Sequence, residues 1–411
     1  MWRESGSREP VNFQRQISTT DVQSFTEQTS DSAWRTLAES SIAWATVRRV
    51  LVVRLRSIGD TVLATPALAA LRRHLPHARI DMLLEDWVAP VLAEHPHVSR
   101  VITVERGNLA ARLRLAMRLR REHYDVAFNL HGGTTATFLT RASGATHRVG
   151  YAGYRYAQLH NHLAPRAAEV WGRAADDDTH TVENNLALIA WAGVPISEDV
   201  PLRLTVTTTA AETIARRLFL AGVADAEPLA LIHPAAAFDS KQWATENFAR
   251  TIEHLHARGF AIVAVAAPGE ESVIENLRRE SRAHVTAFAD LSLPEVVALA
   301  DRAQVFLGND SGIAHIAAAV ATPSVVVFGS SHLGRWRPWT RAAYETVREE
   351  MPCQPCAGYT CREFPQAQCI RRVTVERVIA ALDRVVERSR VVVPASNFAV
   401  ARPTFAAQRT L

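Results

Sequence analysis

Short, continuous apolar runs alternate with amphipathic stretches along most of the chain. Residues 49–55 open the pattern: Val50-Leu51-Val52-Val53 has the length and β-branched content of a strand buried on both faces. A helical stretch follows at 61–75, which Pro76 ends. Residues 78–84, 100–104 and 125–129 read as further strands, with helices at 88–94 and 108–122 between them and another after residue 133. Residues 148–178 are polar and aromatic, a helix runs from about 179 to 192, and 193–209, with Pro195 and Pro201, reads as a linker. A second alternating set comes next, with strands at 229–233, 261–266, 285–287, 305–307 and 325–328. Its helices fall at 210–221, 246–258, 271–279, 293–301 and 312–320. Such alternation predicts an α/β chain of two doubly wound, parallel-sheet domains in tandem. Ligands of these sheets sit at the carboxyl ends of the strands, so two facing domains would hold one in the cleft between them.

At 411 residues the chain exceeds one ordinary core. With 48% hydrophobic and 21% charged residues its composition is that of a globular protein, and a net charge of only +4 argues against nucleic acid as the main partner. The positive charge is unevenly spread: Arg112, Arg114, Arg118, Arg120 and Arg121 crowd the helix at 108–122. That is either a solvated face or a surface for anionic lipid or an anionic acceptor. No uninterrupted apolar run reaches the roughly 18 residues of a membrane span. Residues 1–47 are rich in Ser, Thr and Gln, lack the basic start and apolar block of a secretory signal, and read as a disordered extension or a misassigned start. The four cysteines all fall in one stretch, which fits a reducing compartment better than a disulfide-stapled secreted fold.

Several turns close predicted strands, and each admits both a structural and a chemical role. In Gly308-Asn309-Asp310-Ser311-Gly312, followed by His315, Asp310 or Ser311 can cap a helix, and Gly312 lets a ligand approach the backbone. The free N–H groups of that first turn favour phosphate, yet the same residues make an ordinary cap and a packed histidine. In Arg56-Ser57-Ile58-Gly59-Asp60 the carboxylate either caps the next helix or, as general base, takes a proton from a bound hydroxyl. His131-Gly132-Gly133 is another candidate ligand turn. After the strand at 229–233, Lys241 is either a surface lysine or a compact charge within reach of a diphosphate. Glu270 and Glu271 end the next strand, where an acidic residue can bond a ribose, but the spacing is not a Gly-x-Gly-x-x-Gly fingerprint and gives a nicotinamide cofactor no support. Cys353-x-x-Cys356, with Cys361 and Cys369, suits a closed four-thiolate zinc site of structural type; packed free thiols or disulfides formed on oxidation are the alternatives.

Taken in order, these motifs make the chain resemble the ADP-heptose:lipopolysaccharide heptosyltransferases, a glycosyltransferase family with a two-domain GT-B fold. The resemblance covers residues 49–382. It rests on Arg54-Leu55-Arg56-Ser57-Ile58-Gly59-Asp60-Thr61, Asn129-Leu130-His131-Gly132-Gly133, Arg148-Val149-Gly150-Tyr151 and His180-x-Val182-Glu183-Asn184 in the first half. In the second half it rests on His233-Pro234, Lys241-x-Trp243, Gly308-Asn309-Asp310-Ser311-Gly312-x-x-His315 and the cysteine cluster. The resemblance implies inverting transfer of heptose from ADP-heptose to a lipopolysaccharide core sugar, with no cofactor required for catalysis. It implies Asp60 as general base, and Lys241, Ser311, Gly312 and His315 around the leaving diphosphate. Asn309 and Asp310 would lie at the donor sugar, Ser240 at phosphate, Glu270 or Glu271 at the ribose and Leu291 near adenine. Ser57, Gly59, His131, Gly132 and Gly133 would meet the acceptor. Where family members often carry hydroxyl residues before the lysine, this chain has Ala235-Ala236-Ala237. The implied organisation is an acceptor domain at 48–205, a nucleotide-sugar domain at 206–372 with the cysteine cluster, a helix at 373–389 packing back on the first domain, and a tail at 390–411. The expected protein is a cytoplasmic monomer at the inner membrane face that binds a lipid A-core acceptor and no nucleic acid.

Overall fold

The computed structural model describes residues 42–105, 107–174, 178–197, 200–356 and 360–391, which fall in one compact unit. The first half runs β1 (Arg49–Val53), α1 (Ile58–Val62), α2 (Thr65–His74), β2 (Arg79–Glu85), β3 (Arg100–Val104), α3 (Leu109–Arg121), β4 (Val126–Asn129), α4 (Thr134–Ala142), β5 (His147–Tyr151), β6 (His162–Ala164), α5 (Ala167–Val170) and α6 (Thr181–Trp191). The second runs α7 (Thr208–Leu220), β7 (Leu229–His233), α8 (Thr245–Ala257), β8 (Ala261–Val265), α9 (Glu271–Glu280), β9 (Val285–Phe288), α10 (Leu293–Arg302), β10 (Val305–Asn309), α11 (Gly312–Ala319), β11 (Ser324–Phe328), α12 (Leu333–Trp336), β12 (Tyr344–Arg348), α13 (Gln368–Arg371) and α14 (Val375–Val391).

Each half forms an all-parallel sheet of six strands, ordered β3-β2-β1-β4-β5-β6 and β12-β11-β10-β7-β8-β9. Counted within its own half, each order is 3-2-1-4-5-6, so it reverses between β1 and β4 and again between β7 and β10. At such a switch point the loops leaving neighbouring strands diverge and open a crevice. Register places Val53 beside Asn129 in the first sheet and Gly308 beside His233 in the second, which sets the candidate turns at these two crevices. Helices cover both faces, and β7, β8, β10 and β11 are buried at every position; this is why they read as unbroken apolar runs.

Elsewhere the structure corrects the local expectations. The helix expected at 61–75 is two helices: α1 starts earlier, at Ile58, and Pro66 near the start of α2 supplies no N–H to continue the first. Residues 88–94 form only a short 3-10 turn, Ala89–Leu92, containing Pro90. β6 and β12 lie at the sheet edges; β12, Tyr344-Glu345-Thr346-Val347-Arg348, is half-exposed and mostly polar, so it lacks the signal of its buried neighbours. Residues 42–47, assigned to the extension, belong to the fold. Ile42 and Val47 are buried, and the Trp44 indole donates to the Ala192 carbonyl at 3.0 Å and stacks on Phe128 with centroids 6.4 Å apart. The rest of the extension, 1–41, and the tail from 392 lie outside the described residues.

The last helix, expected against the first domain, packs instead on α8, β11 and β12 of the second sheet. Its apolar face, Val378, Ala381, Leu382 and Val385, completes the core that includes Ile252, Leu255, Val325 and Val327. Polar ties from the same half hold its other side: Arg258 pairs with Asp383, and Arg384 with Glu345 at 2.6 Å. The structure gives the expected four-thiolate site no support. Among the described residues no group of three or more His, Cys, Asp or Glu side chains is arranged to hold a metal ion, and all four thiols are free. Cys369 is drawn into the core under α14, and burial, together with the neighbouring thiols, pushes the Cys356 and Cys369 thiols up.

Candidate active site

On the first-half side, β1 runs into Arg54 and the turn that starts α1. Asp60 is the third residue of α1, and its carboxylate reaches back over the helix start. Oδ2 accepts from the Ser57 N–H at 3.3 Å and from the Ser57 hydroxyl at 3.1 Å. The other oxygen pairs with the Arg54 guanidinium, which also donates to the Leu130 carbonyl at the end of β4. One arginine thus ties both strands of the switch point to the carboxylate. Asp60 keeps 18% of its side chain exposed, enough for a hydroxyl to reach it.

The turn after β4 is built around Asn129, whose side-chain oxygen accepts from the N–H groups of His131 and Gly132 at 3.1 and 3.0 Å. Gly132 has φ +75°, and a Cβ there would stand 2.5 Å from the Tyr154 ring, so both conformation and space demand glycine. Gly133 is the N-cap of α4. Burial pushes His131 down to about 4, the Arg54 charge acting the same way and the Asp60 charge opposing it. The ring is therefore neutral near pH 7, and its Nδ1 is buried without a hydrogen-bond partner.

On the second-half side, Lys241 Nζ lies 2.8 Å from Asp310 Oδ2, and the Ser331 hydroxyl donates to the same oxygen. A lysine ammonium has three donors, so this pairing leaves others for a phosphate. Asn309 serves the loop before the lysine. It accepts from the Trp243 N–H at 3.0 Å and donates to the Pro234 carbonyl at 2.9 Å, so its buried amide is committed to backbone. Ser311 is the N-cap of α11, but its hydroxyl sits 3.2 Å from His233 Nδ1 and does not cap the helix. The N–H groups of the first turn of α11 thus carry no side-chain cap.

The two sides meet directly. A Cβ on Gly59 would stand 2.7 Å from His315 Cδ2, and one on Gly312 would stand 2.9 Å from Ile58 Cβ. The N-termini of α1 and α11 are therefore held together by a glycine on each. His315 is 4% exposed, with burial pushing its pKa down and the charges of Asp310 and Asp60, one from each half, opposing the shift. Its Nδ1 is likewise buried without a partner. A second bridge lies beside it: His180, N-cap of α6, makes a 3.0 Å hydrogen bond from Nε2 to the Arg337 carbonyl and lies against the Trp339 ring in a tilted arrangement, with centroids 4.8 Å apart.

Sequence-expected residues thus divide. Asp60, Gly59, Gly312 and His315 converge, joined by His131 through Asp60 and by Lys241 and Asp310 through His315. Ser240 faces away, 2% exposed, with its hydroxyl 2.8 Å from that of Ser330. The Glu270 and Glu271 carboxylates accept from the Ala267 and Gly269 N–H groups at 3.0 and 2.9 Å and so brace the turn before α9, while Leu291 is half-buried against the core. Arg54 and His180 stand in the quoted motifs, but no role was expected for either, nor for Ser331. Arg54 stands two residues before the turn, inside the quoted motif, so its place was legible; Ser331 and Arg337 lie on either side of the short α12 after β11, in a stretch to which the sequence alone assigns no role.

Two doubly wound halves whose strand-end loops meet in this way form a GT-B glycosyltransferase fold. The chain belongs to glycosyltransferase family 9 (heptosyltransferase), whose profile matches residues 112–366. It is 30% identical over 303 residues to Lipopolysaccharide heptosyltransferase 3 of Escherichia coli, covering 70% of this chain and 85% of that one. Among solved structures, the family 9 glycosyl transferase from Veillonella parvula superposes with a TM-score of 0.71 at 18% identity, over 87% of this chain and all of that one. The E. coli heptosyltransferase WaaC with ADP-2-deoxy-2-fluoro heptose superposes at 0.60 with 21% identity, over 83% and 99%.

Proposed function

We propose that this glycosyltransferase moves a heptose from ADP-heptose to a hydroxyl of the lipopolysaccharide core, with inversion at the anomeric carbon. The acceptor binds across residues 48–205 and the donor across 206–372. The reading is carried by the convergence of Asp60 from one half with Lys241, Asp310 and the uncapped start of α11 from the other, and it is supported by the names of the relatives.

The acceptor oxygen forms a bond to the anomeric carbon as its proton passes to the Asp60 carboxylate. The bond from that carbon to the β-phosphate breaks, and its electron pair leaves with ADP. Lys241 and the N–H groups of Gly312 and Ile313 face the charge that develops on the departing phosphate, where fixed donors act most strongly. Neutral His131 and His315 offer buried ring nitrogens to acceptor and donor hydroxyls. Ser331 takes the phosphate-side role that Ser240, turned inward, does not. The acceptor is lipid-anchored, so the enzyme works at the cytoplasmic face of the membrane; among the described residues no helix is long and apolar enough to cross one.

A thermal-shift comparison of ADP-heptose with ADP, UDP, GDP and their common sugars tests the donor. Binding to the folded state alone stabilises it by about 2.7 kcal/mol at one hundred times the dissociation constant. Selective stabilisation by ADP-heptose is expected. A response confined to another nucleotide sugar would keep the transferase and discard the heptose, with Ala235-Ala236-Ala237 the first place to look.

A further inference from the structure

α3 lies apart from the site and is built unlike the other helices of its sheet. Leu115 and Leu119 are buried beneath it, and at 100° per residue Leu113 and Met117 point the opposite way, with Leu109 extending their row by one turn. These three are 69% (Leu109), 60% (Leu113) and 57% (Met117) exposed. A merely solvated helix would put polar residues on this outermost line. Arg114, Arg118 and Arg121 run along one flank and, with Met117 and Glu122, line a concavity of about 470 Å³; Arg120 borders the other flank. Glu122 does not neutralise them, because Arg79 at 2.5 Å and Arg100 at 2.8 Å already hold its carboxylate. Among the described residues none of Arg114, Arg118, Arg120 and Arg121 enters a salt bridge.

We propose that this face of α3 rests on anionic phospholipid, with Leu109, Leu113 and Met117 entering the acyl boundary and the flanking guanidiniums pairing with lipid phosphates. An apolar row bordered by arginines is the pattern of a helix lying in a membrane interface, and guanidinium pairs with phosphate in a bidentate fashion. Charge complementarity selects the occupant: a second copy of this chain would bring the same positive face, whereas anionic lipid brings the opposite charge. At thirteen residues α3 offers reversible attachment rather than a permanent anchor. The inference rests on the reading of a lipid-anchored acceptor only for its purpose, and its test uses neither donor nor acceptor, so the two fail separately.

The full chain is floated with vesicles of phosphatidylcholine alone, or mixed with phosphatidylglycerol, both free of lipopolysaccharide. Binding to the mixed vesicles only, released by high salt, is expected. Arg114→Gln with Arg118→Gln weakens that binding by about thirtyfold, at the surface-charge contribution of two arginines. Leu113→Ser with Met117→Ser weakens it at low salt, where the charge attraction is intact. Both pairs change exposed side chains, so melting temperatures stay near wild type; should one pair not fold, the other still decides. Equal binding to both vesicle types, or binding that survives both pairs, overturns the proposal. So does binding only after lipopolysaccharide is added, which would assign the arginines to the acceptor.

Discussion

At Asp60 the capping and catalytic roles coincide. Its Oδ2 closes the start of α1 through Ser57, and the ion pair with Arg54 fixes the direction of the other oxygen. Asp60→Asn can still accept from Ser57 but cannot take a proton. Turnover is expected to fall by about 10²–10⁴-fold while the rise in melting temperature caused by ADP is retained; near-normal turnover would remove Asp60 as the base. Lys241 differs because its partner is buried. Lys241→Met strips the charge facing the leaving phosphate and leaves Asp310, 5% exposed, without its cation. It should therefore weaken ADP affinity in calorimetry and also cost about 1–3 kcal/mol of stability. A loss of affinity with unchanged stability would mean that the ion pair contributes nothing to the fold.

At the scale of elements, the contact between α1 and α11 depends on small residues at both helix starts. A methyl added at Gly312 would stand 2.9 Å from Ile58 Cβ and 3.1 Å from Ile58 Cγ2, and a β-branched side chain in a helix has little rotamer freedom with which to yield. Gly312→Ala is expected to push the two helix starts apart, lowering stability by about 1–3 kcal/mol, as overpacking does, and turnover with it. An unchanged melting temperature would show that the two halves move apart without cost. The same scale explains the misplaced final helix: an amphipathic 3.6-residue period shows that α14 buries one face, but not which sheet receives it.

For the whole molecule, buried and half-buried histidines make stability depend on pH, among them three in different places. Burial is the main cause that pushes His131 (after β4), His180 (at the bridge between the halves) and His233 (at the end of β7) from the ordinary 6.5 down to about 4. In the folded protein they stay neutral where the unfolded chain already binds protons. Their contribution is fully present above pH 6.5 and is lost as pH falls towards about 4, at up to roughly 1.4 kcal/mol per pH unit for each. Melting temperature should be flat with respect to these groups above pH 6.5 and drop steeply below it; stability that rises on acidification would contradict the burial of all three.

Much of the fold was written in local pattern. Strands buried on both faces must be continuous apolar runs, and the helices between them must be amphipathic, so two doubly wound halves followed from the alternation alone. The candidate turns were legible too, because Asp60, His131, Lys241 and Asp310 cluster with glycine and small residues where such runs end. Tertiary structure alone decided which turns meet and how each side chain is spent. That Gly59 faces His315 across two halves, that Asn309 and Ser240 serve their own loops, and that Cys369 enters the core under α14 are outcomes of long-range packing. Local sequence selects the face a side chain occupies, but what lies opposite that face depends on residues far away in the chain.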